Sequence, residues 1–277
     1  MSVPCCVISH RGIRTEERHN PGLFVETGSL TKVITGTALI QLADEGVLEP
    51  DDPLERWLPA ATGTGITLRH LLQHTSGLPR LPPKLPGHTV ADPYRQFTPS
   101  ALDDLLGQLP NLLLYPPGQH EEYSNLGYAI LGAALTAATG HRYQDIVDEY
   151  VLAPLQLPAG AMTPYPPADA RLLPRTRLFK RPGKVWTMDG AILPAGGLWA
   201  TPHTIASLAR GLIVDQELGL PAPTWYRNGN QFRYNGATST ATVSVVAQPA
   251  GPWAIVHRLG GDPAETARIA VEEVIRV

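Results

Sequence analysis

Two spacings of apolar residues divide the chain. Segments 4–10, 22–27, 231–235, 241–248 and 253–258 are short runs rich in Val, Ile, Phe, Tyr and Thr, and they predict strands. Between them, Leu30, Val33, Ile34, Ala38, Leu39, Leu42, Ala43 and Val47 recur at i, i+3 and i+4, the spacing of one buried helical face. Gly28 and Gly46 punctuate that helix. A second apolar helix is predicted over Leu126, Tyr128, Ala129, Ile130, Leu131, Ala134 and Leu135, and residues 263–275 predict a closing amphipathic helix. Strands at both ends around a helical middle predict an α+β fold. Its antiparallel sheet would be built from both chain ends and flanked by helices, with a mostly α-helical lobe inserted. The boundaries place residues 1–55 and 185–277 in the α/β lobe and 56–184 in the helical one. Of the 28 prolines, many cluster in Pro79–Pro99, Pro154–Pro174 and Pro221–Pro223, which therefore read as ordered loops and candidate site walls.

Chemistry enters with the lysines. The chain has only Lys32, Lys84, Lys180 and Lys184, and one of them stands three residues after a serine at a helix start, in Ser29-Leu30-Thr31-Lys32. Residues three apart share a helical face, so the Lys32 amine comes within reach of the Ser29 hydroxyl. Burial lowers an amine's preference for charge and lets it accept a proton. Free N–H groups at a helix start stabilise negative charge on the serine oxygen. The pair is a candidate nucleophile and base. The competing reading is an N-cap serine with a solvated lysine one turn later. Tyr123-Ser124-Asn125 opens the second helix, with a phenol able to carry protons and an amide that both donates and accepts. Tyr234-Asn235-Gly236-Ala237 leads into the β-rich run 241–247.

S-x-x-K, then Y-x-N, then this last triplet together resemble the serine β-lactamase and penicillin-binding-protein superfamily. The resemblance is greatest to class C β-lactamases and to β-lactamase-like (family VIII type) esterases and transacylases. Three stretches extend it: Leu68–Pro79 (LRHLLQHTSGLP), Gly46–Leu54 (GVLEPDDPL) and Ala195–Pro202 (AGGLWATP), so that it covers about residues 5–270. It implies a site in a cleft between lobes, with Ser29 attacking a carbonyl and Lys32 and Tyr123 handling its proton; which of the two is the base stays open. It further implies an oxyanion hole from the backbone N–H groups of Ser29 and Ala237. Asn125 would hold the Lys32 amine or a substrate amide, and Tyr234, Asn235 and Gly236 would line the substrate's path. One position departs: the superfamily usually has Lys or His where this chain has Tyr234. A tyrosine brings no cation, so a charge partner for a substrate carboxylate is not expected there.

Composition narrows the partners. A net charge of −3 and 43% hydrophobic residues over 277 positions give no pull toward nucleic acid. No window nears the apolar length of a membrane span, and Val3–Ile8 is too short and lacks the basic start of a secretory signal. Cys5 and Cys6 are adjacent and staple nothing. A cytoplasmic protein is the expectation. Arg171, Arg175, Arg177, Lys180, Arg181 and Lys184 form an acid-free stretch, read as a solvated loop or, alternatively, a landing site for an acidic carrier or acyl donor. His70 and His74 have a metal-compatible spacing, but no third ligand is suggested and no metal or organic cofactor is expected. Trp186, Trp199, Trp225 and Tyr226 read as core or pocket wall. The expected function is acyl-enzyme hydrolysis of an ester or amide through Ser29. The alternatives are an intracellular transacylase passing the acyl group to an amine or alcohol, and a non-catalytic binding protein on the same fold.

Overall fold

The computed structural model of the chain describes residues 3–83, 92–174 and 185–276. Its strands are β1 (Cys5–Ser9), β2 (Gly12–Glu16), β3 (Val25–Glu26), β4 (Met162–Thr163), β5 (Trp199–Ala200), β6 (Tyr226–Asn228), β7 (Gln231–Ala237), β8 (Ala241–Ala247) and β9 (Trp253–Leu259). Its helices are α1 (Thr31–Asp44), α2 (Leu68–Leu72), α3 (Pro99–Leu106), α4 (Asn125–Thr139), α5 (Tyr143–Val147), α6 (Leu193–Gly196), α7 (Pro202–Ala209) and α8 (Pro263–Ile275).

The main sheet runs β2-β1-β9-β8-β7-β6 and is antiparallel throughout. β1 zips onto β9 from Cys5 opposite Arg258 to Ser9 opposite Ala254, so the two chain ends close one sheet, as expected. Period-2 alternation divides its side chains between two cores. Cys5, Val7, Val246, Ala254 and Val256 pack against Ala270 and Val274 of α8. Cys6, Ile8, Val243, Val245 and Ile255 face the other way and join the large core with α1 and α4. The neighbouring thiols thus point to opposite faces, and both are free and buried. Among the described residues no helix is long and apolar enough to cross a membrane.

Three expectations need correction. Segment 22–27 does not join the main sheet: only Val25–Glu26 is strand, and it pairs with β5 in a separate sheet ordered β3-β5-β4. The residue before it, Phe24, instead exchanges hydrogen bonds with the backbone of Ala170 and Leu172. β2, β4, β5 and β6 were not anticipated, since β2 and β6 are exposed along their length and β4 and β5 have two residues each. Helix α1 begins at Thr31 rather than Ser29, preceded by a 3-10 turn over Gly28–Leu30. Its first nine residues are also enclosed on all sides, for Thr31, Lys32, Thr35 and Thr37 are as buried as its apolar stripe.

Candidate active site

Ser29 sits on the 3-10 turn, and the residue capping α1 is Leu30, without a side-chain cap. The N-cap reading of the serine therefore fails, and its hydroxyl is left for other partners. Two glycines press this turn against β7. Gly28 has a φ of +51°, and a Cβ there would stand 2.8 Å from the backbone N and O of Ala237. A Cβ on Gly236 would stand 2.0 Å from the Thr27 carbonyl oxygen, so neither position tolerates a side chain without separating turn from strand. The Ala195–Pro202 run holds the turn from its other side: Thr27 donates from its amide (3.2 Å) and hydroxyl (2.6 Å) to the Leu198 carbonyl.

β7 presents a free edge to Ser29. β6 pairs only with Gln231–Arg233, leaving Tyr234–Ala237 open on that side. Antiparallel backbone groups alternate between neighbour and outside. Thr238 N–H is spent on the Ala241 carbonyl (2.9 Å), so the N–H of Ala237, one residue earlier, points outward to the serine turn.

Lys32 is fully buried beneath the turn. Its amine lies 3.4 Å from Ser29 Oγ and 2.8 Å from Asn125 Oδ1, and it also bonds the Ala195 carbonyl. Burial, assisted by the Arg80 charge, holds its pKa well below that of a free lysine. The amine donates to all three oxygens; on losing a proton it can keep N–H bonds to the two that only accept, Asn125 Oδ1 and the Ala195 carbonyl, and turn its lone pair to the Ser29 hydroxyl. The Asn125 Nδ2 donates to Tyr94 Oη at 2.9 Å, which turns its carbonyl oxygen toward Lys32.

From the other side, the Tyr123 hydroxyl donates to Ser29 Oγ at 2.6 Å. Burial pushes the Tyr123 phenol up to about 12, so it is protonated at neutral pH. His74 positions it. At the end of α2, with φ of +60°, its ring lies 4.5 Å from the Tyr123 ring, its Nδ1 accepts the Ser124 amide (3.1 Å) and its carbonyl accepts the Glu122 amide (2.7 Å). Burial pushes His74 down to about 3, which keeps it neutral. His70 is occupied separately, its Nδ1 accepting the Thr67 amide at 3.2 Å in the cap of α2, so the two histidines serve different tasks. Among the described residues no group of three metal-ligating side chains exists.

These groups open onto a cleft of about 530 Å³ walled by Tyr94, Tyr123, Trp186, Tyr226 and Tyr234. Tyr234 is 1% exposed, stacked on Tyr226 (5.6 Å) and edge-on to Trp225 (6.2 Å). Burial and the neighbouring phenols push its pKa up, although its hydroxyl meets no hydrogen-bond geometry with any of them. Asn235 accepts the Ser244 hydroxyl at 2.7 Å. Because position 234 is buried, Tyr234→Phe should change unfolding free energy by less than about 1 kcal/mol. Tyr234→Lys, by contrast, should cost more than about 3 kcal/mol by burying an unpaired charge. Urea unfolding of the two variants distinguishes these outcomes.

Tyr234 brings no cation to the site, but Arg80, one residue past the LRHLLQHTSGLP run and not singled out in the sequence, lines the cleft. It follows a proline in a loop, where no periodicity signals a side chain's direction. Tyr94 and the positioning of Tyr123 by His74 were likewise unread. Of the basic stretch, Arg171 stacks over Trp199 (5.4 Å) outside the cleft. Arg175, Arg177, Lys180, Arg181 and Lys184 lie outside the described residues.

The chain is similar over 185 residues, at 31% identity, to the D-alanyl-D-alanine-carboxypeptidase/endopeptidase AmpH of Escherichia coli, covering 64% of this chain and 46% of that protein. Penicillin-binding protein 4* of Bacillus subtilis is 34% identical over 138 residues, 49% of this chain and 29% of that one. The chain thus spans less than half the length of these relatives. Among solved structures, the β-lactamase/D-alanine carboxypeptidase from Yersinia pestis, complexed with citrate, superposes with a TM-score of 0.75 at 20% identity, covering 99% of this chain and 93% of that one. A class C β-lactamase from Rhodobacter sphaeroides gives 0.71 at 17% identity, with the same coverage. The model of the β-lactamase family matches residues 7–257, and the chain belongs to that family of serine hydrolases.

Proposed function

We propose that this chain is a serine acyl-enzyme hydrolase that cleaves an ester or amide bond at Ser29. One observation carries the reading: Ser29 Oγ lies 2.6 Å from a protonated phenol and 3.4 Å from a buried amine. The amine's lone pair takes the serine proton as Oγ bonds to the substrate carbonyl carbon. The carbonyl electrons shift to oxygen, which the N–H groups of Ser29 and Ala237 receive. Preorganised donors of this kind are each worth about 3 kcal/mol of barrier. Collapse breaks the bond to the leaving group, which takes a proton from Tyr123, and the proton held by Lys32 restores the phenol. Water repeats the sequence on the acyl-enzyme and frees Ser29. The high Tyr123 pKa favours Lys32 as the base, because little phenolate exists to compete. The carboxypeptidase named among the relatives supports a peptide-like amide within the substrate class. A binding-only role has no use for a buried amine aimed at a serine.

The base must be neutral to act, so kcat/KM on p-nitrophenyl butyrate should rise with pH as Lys32 loses its proton. A free lysine would place that rise near about 10.4. The depressed pKa of Lys32 moves it well below that value. A rise centred at or above pH 10 in the measured profile would remove Lys32 from the role of base, and absence of ester turnover would remove the function.

A further inference from the structure

Lys32 lies fully buried beneath the cleft, its pKa held well below that of a free lysine, and among the described residues that line the cleft Arg80 is the only charged side chain. Among the described residues no carboxylate lines it. Arg80 is exposed to the cleft, and among the described residues it makes no ion pair. Glu121 and Glu26 act on the cleft from outside its lining: Glu121 raises the Tyr226 pKa, and Glu26 accepts the Thr238 hydroxyl at 2.9 Å. Arg80 is nonetheless held. Its guanidinium lies 4.8 Å over the Tyr123 ring, and its backbone carbonyl accepts the Asn125 amide at 2.8 Å. Both anchors belong to the Y-x-N segment, so the cation is fixed relative to the reacting groups. Its charge is felt by Lys32, His74, Tyr94 and Tyr123.

A stacked guanidinium offers a planar fork that matches a carboxylate in two parallel hydrogen bonds. The aromatic walls around it limit water's access to such a pair and suit a flat or apolar body attached to the anion. We propose that Arg80 recognises a carboxylate carried by the acyl substrate, so that this cleft selects anionic esters or amides over neutral ones of the same shape. The cation stands on the Tyr123 wall rather than on β7, where Tyr234 supplies none.

The kinetic consequence rests on the acyl-enzyme reading, whereas the binding consequence does not. Calorimetry should show wild-type protein binding phenylacetate about tenfold tighter than phenylacetamide, the low end for a charge-assisted pair because Arg80 is exposed. Arg80→Gln should lose that preference, and Arg80→Lys should keep part of it. In kinetics, the ratio of kcat/KM for mono-p-nitrophenyl glutarate over p-nitrophenyl butyrate should fall about tenfold in Arg80→Gln. Equal wild-type binding of acid and amide would overturn the proposal, as would a preference that survives in Arg80→Gln. An acid preference without turnover of either ester would sink the acyl-enzyme reading and leave anion recognition standing.

Discussion

Replacing Ser29 by alanine should lower kcat on p-nitrophenyl butyrate by at least about a thousandfold, with the fold almost untouched. The loss is large because the nucleophile's removal leaves only substrate binding and the oxyanion donors, and these alone give little turnover. The fold survives because the hydroxyl caps no helix and is half-buried; its partners are Tyr123 and Lys32, both of which keep other contacts. A change in unfolding free energy under about 1 kcal/mol is expected, the scale of one hydrogen bond. Activity within tenfold of wild type would sink the assignment of Ser29 as nucleophile.

The second large effect is a failure of additivity. Lys32→Met and Tyr123→Phe should each lower kcat/KM by about a hundredfold or more, and the double variant should be little worse than the poorer single one. Groups that pass one proton between them act as a unit, so removing either removes the function of both. Methionine is the suitable replacement at position 32, since it fills a fully buried site without offering a base. Alanine there would add a cavity to the loss of the amine. If the two losses multiply, Lys32 and Tyr123 serve separate steps and the shared proton path is wrong.

What could be read from the residues follows from how far each signal reaches along the chain. Period-2 and period-3.6 spacing marked the terminal strands, α1, α4 and α8, because those elements bury long faces. Strands β2 and β6 gave no such signal, since every one of their residues is exposed and each only pairs, through a short hairpin, with its sequence neighbour β1 or β7. The motifs brought out Ser29, Lys32, Tyr123 and Asn125, the family resemblance added Ala237, and the fold gathers all five at one cleft. The 3-10 turn that aims Ser29 was hidden because Gly28 reads as punctuation, whereas it is a point of contact with Ala237. Arg80 and Tyr94 are 51 and 65 residues from Ser29 in the chain and come from loops, where direction is set by tertiary packing alone. His74 was legible as a helix end, while its stacking on Tyr123 depends on a segment about fifty residues away.

The central claim is that Ser29 forms a covalent acyl bond when a buried amine removes its proton. Intact-mass analysis after incubation with a fluorophosphonate, and separately with a panel of p-nitrophenyl acyl esters, tests it most directly. Wild-type protein should gain one adduct mass, mapped by peptide sequencing to Ser29, with Ser29→Ala unlabelled and Lys32→Met labelled at least about a hundredfold more slowly. A wild-type protein that stays unlabelled, or an adduct that persists in Ser29→Ala, would contradict it.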